Sequence, residues 1–72
     1  MVNVNKLRGK IVENGLTIDE VADKMGINRA TFYRKLNSGG KNFLIKDVDA
    51  LVKILHLKSD EATAIFFAQY VA

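Results

Sequence analysis

Arg29, Ala30, Tyr33, Arg34 and Asn37 recur at spacings of three and four, the interval that brings side chains together on one side of a helix. Two guanidinium groups, a phenol and an amide make a surface rich in hydrogen-bond donors, suited to phosphate oxygens and to the edges of guanine bases. Phe32 and Leu36, with Ile27 just ahead of them, fall on the other side and are expected in a core. From Asn28 to Asn42 there are four cations, Arg29, Arg34, Lys35 and Lys41, and no acid, whereas Ser59 to Ala72 carries Asp60 and Glu61 and no base. A charge run is commonly just a solvated face, and the net charge of +3 distinguishes nothing by itself. The helical spacing is what points these cations toward a polyanion.

The elements that must position this face are legible in the flanking residues. Thr17 followed by Glu20 has the pattern of a capping box, so a helix is expected to start there. Ile18, Val21, Ala22 and Met25 then form one apolar stripe, and Ala22 is small enough for another helix to cross closely. Gly26 is suited to the left-handed conformation that ends a helix, and Asn28 is a favoured N-cap for the next. Two short helices with so tight a break between them predict a helix-turn-helix, the geometry that lays its second helix in the major groove of DNA. Asp19, Glu20 and Asp23 could be mistaken for a metal or acid–base cluster. The first two suit the positive end of the helix, and Asp23 falls on its solvent side.

From Leu16 to Ser38, about a third of the chain, the sequence resembles the Cro and phage-repressor class of helix-turn-helix regulators, most closely over Val21 to Gly26. The resemblance implies that Arg29, Ala30, Tyr33 and Arg34 occupy base-reading positions, that Asn28 and Asn37 meet the DNA backbone, and that the loop carrying Lys41 and Asn42 passes the phosphates. Two positions depart from the pattern. Ile18 stands where many members have a glutamine that reaches a phosphate, and Ala30 replaces a polar base reader with an apolar surface that suits a thymine methyl. The operator sequence therefore does not transfer from any relative.

The rest of the chain reads as further short helices. Asn3 or Asn5 is expected to cap a first helix running to Asn14, with Val4, Leu7 and Ile11 inward and Gly15 as its stop. Asn37 to Asn42, with its Gly-Gly pair, is the one loop-like stretch. A fourth helix is expected from near Leu44 to about Leu57, with Ile45, Val48, Leu51, Val52 and Leu55 at helical period, and His56 in its last turn as a C-terminal cap. A fifth, opened by Ser59 with Asp60 and Glu61, is expected to reach the C-terminus, with Ala62, Ile65, Phe66 and Val71 inward. The expected fold is all-α, a single compact five-helix domain over residues 1–72, lambda-repressor-like, with helices 2 and 3 as the helix-turn-helix.

Composition narrows the function further. With no cysteine, one histidine and no tight carboxylate cluster, no metal site is expected, and neither a phosphate-loop glycine pattern nor a nucleophile elbow is present. No cofactor, small-molecule ligand or enzymatic activity is expected. No apolar run approaches the roughly 18 residues of a membrane span, and Met1 to Asn5 does not begin a signal peptide, so a cytoplasmic location is expected.

The expected partner is double-stranded DNA at a near-palindromic operator. Helix 3 would sit in the major groove, and Thr17, with the amides at the start of helix 2, would anchor a phosphate. Phe66, Phe67 and Tyr70 crowd the last helix with more apolar surface than one stripe absorbs, which fits either a small monomer that uses every aromatic for its core or a homodimer joined there. The resemblance, together with the small binding surface of one domain, favours the dimer. The expected function is a transcriptional regulator, a repressor in the first instance. The competing reading is a protein-interaction module of antitoxin or anti-repressor type on the same fold, which would need a partner rich in acids.

Overall fold

The computed structural model describes residues 2–68, and within them the chain forms five α-helices and no strand. They are α1 (Val4–Glu13), α2 (Ile18–Met25), α3 (Arg29–Asn37), α4 (Ile45–Ile54) and α5 (Ser59–Phe66). Tyr70 and Val71 lie outside the described residues.

Helix starts follow local hydrogen bonding. Asn3 caps α1 by accepting from the Lys6 amide at 3.1 Å. The capping box at α2 is complete: the Glu20 amide donates to Thr17 Oγ1 at 3.1 Å, and the Thr17 amide donates to Glu20 Oε1 at 3.0 Å. Leu44 and Lys58 precede α4 and α5 without a capping oxygen of their own. There only the return half is made, Asp47 accepting from the Leu44 amide and Glu61 from the Lys58 amide, each at 2.9 Å. The cap position of α5 is therefore Lys58, one residue earlier than Ser59.

Four helices end in the same way. Gly15, Gly26, Gly39 and His56 take φ of 70°, 75°, 75° and 53°, and each is followed by a residue whose amide donates back to the carbonyl five positions earlier. These bonds, Leu16 to Ile11, Ile27 to Ala22, Gly40 to Lys35 and Leu57 to Val52, are all 3.0–3.1 Å and define Schellman ends. His56 was expected inside the last turn of the fourth helix with its imidazole as the cap. It lies past the helix end, its side chain exposed, and contributes through its backbone.

Leu7, Ile11, Val21, Ala22, Phe32, Leu36, Leu51, Leu55, Leu57, Ile65 and Phe66 form the core. α2 sits centrally, packed on α1, α3 and α4, and the fully buried Ala22 permits that approach. Phe43 joins Phe32 to Phe66, with ring centroids 6.3 and 6.4 Å apart in tilted and edge-on geometry. Ile45, at helical period with the α4 core residues, is 89 % exposed instead. As the first residue of the helix it precedes the turn that packs. α5 ends at Phe66 rather than continuing, because Phe67 leaves the helical region at φ −126°, ψ 33°.

Three of the four Schellman ends have glycine at the left-handed position and one has histidine, which sets up a direct test. The left-handed region costs an L-residue roughly 1 kcal/mol, and glycine returns part of that gain through its larger unfolded-state entropy. His56→Gly is expected to stabilise the fold by about 0.5 kcal/mol, raising the melting temperature by about 2–4 °C. Calorimetry of the two proteins side by side checks it.

Candidate nucleic-acid interface

α3 is rotated by its apolar residues. Phe32 and Leu36 are 0 % and 2 % exposed, so the helical period turns Arg29, Ala30, Tyr33, Arg34 and Asn37 to solvent together, as the spacing predicts. Asn28 caps the helix by accepting from the Ala30 amide at 2.8 Å, which leaves its side-chain NH₂ as an outward donor. Thr17 is exposed near the same end of α2. The capping box already uses its amide, so its contribution to an anion is the hydroxyl proton.

The cationic stretch from Asn28 to Asn42 is acid-free in sequence but not in space. Asp19 of α2 reaches Arg29, Oδ2 to Nη1 at 3.1 Å. Asp47 of α4 takes Lys35, whose Nζ also donates to the Asn42 carbonyl at 2.9 Å. Lys35 is thus a structural staple rather than an outward cation. Arg34 makes only a long contact to Thr31 Oγ1 at 3.4 Å, and Lys41 forms no ion pair among the described residues. Lys46, exposed just beyond the loop, is a further cation that the spacing argument passed over because it belongs to the next helix.

The loop that carries Lys41 and Asn42 is tightly specified. Gly40 is buried with φ 78°, and a Cβ there would overlap Val2, so the chain crosses its own N-terminal segment where only glycine fits. Asp47 Oδ2 accepts from Lys35 Nζ at 3.0 Å and from the Leu44 amide, closing the loop onto α4. Burial would push the Asp47 carboxyl up, but the Leu44 amide and the Lys35 ammonium together hold it below its ordinary value.

The other expected interface residues divide. Phe66 is 6 % exposed and packs edge-on to Phe43, so the single chain already buries it and it is not available to a second subunit. Phe67 is 49 % exposed, beside Leu44 and Ile45 across a shallow groove. A separate cavity of about 420 Å³ between α1 and α5 is lined by charges of both signs, of which Lys10 pairs with Glu61 and with Glu13, the latter at 3.2 Å. Among the described residues no group of three potential metal ligands is gathered, and no helix is long and apolar enough to cross a membrane.

Comparison of the chain with protein-family models, with curated proteins and with solved structures finds no match in any of the three.

The depressed Asp47 carboxyl makes the loop staple acid-sensitive. Its stabilisation is complete above the ordinary value near 3.8 and is lost as pH falls from there through the lower folded-state value. Asp47→Asn keeps an acceptor for Leu44 but loses the charge facing Lys35, and should cost about 1.5–3 kcal/mol at neutral pH. Urea unfolding at pH 7, 5 and 3 should show that gap closing between the two proteins toward pH 3.

Proposed function

We propose that α2, the Gly26 turn and α3 act as a helix-turn-helix of the Cro and phage-repressor kind, and that the protein is a sequence-specific double-stranded-DNA-binding transcriptional regulator. The observation that carries this reading is the outward half of α3: two arginines, a tyrosine and an asparagine exposed on one face, beside a capping Asn28 with a spare donor. In the major groove, Arg29 and Arg34 would read guanine edges, Ala30 a thymine methyl, and Tyr33 a base or sugar. Asn28, Asn37, Thr17, Lys41 and Asn42 would hold the backbone. Operator occupancy that excludes polymerase is sufficient for repression.

Binding titrations at several salt concentrations, followed by selection from a random duplex library, test this. Arg34, Lys41 and Lys46 on each of two subunits would neutralise about four to six phosphates, giving a slope of log affinity against log salt of roughly −4 to −5. A slope near zero refutes DNA binding. Arg34→Ala should cost about 1–3 kcal/mol and relax the preference at one operator position, whereas Lys41→Ala should weaken all sequences alike.

The dimer belongs to the same proposal and is supported by Phe67, Leu44 and Ile45 lying exposed around one groove. Two-fold pairing there would set two copies of α3 on one side of the duplex, roughly 34 Å apart, and so demand a near-palindromic operator. Phe67→Ala should weaken association by tens-fold or more, from about 1.5–3 kcal/mol for each aromatic side chain buried, while the melting temperature of the monomer changes little. Sedimentation equilibrium with and without operator DNA measures it. A parent that remains monomeric at high concentration and binds its operator as a single copy refutes the dimer.

A further inference from the structure

Among the described residues Asp19 is the one acid that pairs with a cation on the outward face of α3. Its Oδ2 lies 3.1 Å from Arg29 Nη1, while its other oxygen is buried with no hydrogen-bond partner among the described residues. One oxygen of the carboxylate thus lies against the protein and the other toward the guanidinium. Arg29 remains 63 % exposed, so the pair occupies one donor of a planar fork and leaves the others outward. An acid on a surface that must approach phosphates repels them, so its presence there calls for a function.

We propose that Asp19 is a specificity-determining residue that positions Arg29 for base readout and removes it from nonspecific attraction. This rests on the DNA-binding reading above. A guanidinium held by a carboxylate is already ordered, so it gives up less freedom when it engages a guanine edge. The same pairing neutralises its charge, so it displaces few counterions from an arbitrary duplex. Arg34, which no acid contacts among the described residues, keeps its full attraction for phosphate. Both arginines then read bases, but only Arg34 also adds to the sequence-independent attraction.

Asp19→Asn removes the charge while nearly conserving shape, and a thermal melt confirms that the variant is folded. Binding to a random duplex should become tighter, with the salt slope steeper by about 1 per subunit. In library selection, the preference at a single operator position should relax by about tenfold. In an Arg29→Ala background, Asp19→Asn should leave that preference unchanged, because the residue Asp19 positions is gone. Arg29→Lys offers a second route that leaves Asp19 in place: it keeps the charge pair and so the parent's salt slope, but loses the preference with the planar fork. An unchanged preference in Asp19→Asn, or the same loss in the Arg29→Ala background, overturns the role of Asp19 and leaves DNA binding intact. A parent that binds no duplex at any salt overturns the DNA-binding reading, and this inference with it.

Discussion

The burial of Phe32 is the constraint on which the presentation of α3 depends. With Phe32 and Leu36 sealed in the core, a helix of nine residues has no rotational freedom left, and the residues offset from them by the helical period must face solvent. Phe43 and Phe66 extend the aromatic contact from Phe32 through the loop to α5, so the aim of the outward face is tied to the far side of the molecule. A polar change on the surface leaves that aim intact, whereas any change that loosens the Phe32 ring moves every candidate contact together.

Charge pairing divides the cations of α3 and its loop into two kinds. Lys35 and Arg29 meet acids from α4 and α2, while Arg34 and Lys41 meet none among the described residues. The Lys35–Asp47 pair is largely sequestered from solvent, and the hydrogen bonds to the Asn42 carbonyl and from the Leu44 amide satisfy more of its polar atoms. A buried pair of this kind tolerates the removal of neither partner, because the one left behind is desolvated and unmatched. The Asp19–Arg29 pair is far more exposed and contributes little to stability.

The boundaries of the first three helices were legible in the chain because they are local decisions. Gly15, Gly26 and Gly39 mark left-handed ends, and Asn3, Thr17 and Asn28 supply capping oxygens within three residues of their partners. The outward set on α3 was legible for the same reason, since it follows from period alone. What the spacing did not reveal depends on partners far along the chain. Asp19 lies 10 residues from Arg29 and Asp47 lies 12 from Lys35, and no pattern within one helix says which cation an acid will choose. Phe66 and Ile45 illustrate the same limit: the period offers Phe66 both to the core stripe and to an aromatic cluster for a second subunit, and it puts Ile45 in an apolar stripe. Their burial is decided by where Phe43 and the first turn of α4 come to rest.

Size explains why a cation of α3 is spent on structure. A chain this short has a small core for its surface, and α3 packs chiefly on α2 alone among the helices. One apolar contact line leaves a short helix free to pivot about it. Lys35 supplies a second point of attachment: its ammonium binds both the loop carbonyl of Asn42 and the Asp47 carboxylate at the start of α4. Tying that lysine down takes one cation away from solvent but fixes the angle at which the outward donors of α3 are held. Under the proposed DNA-binding reading, where donors would have to match base edges to within hydrogen-bond tolerance, a fixed angle is worth more than one extra unit of charge.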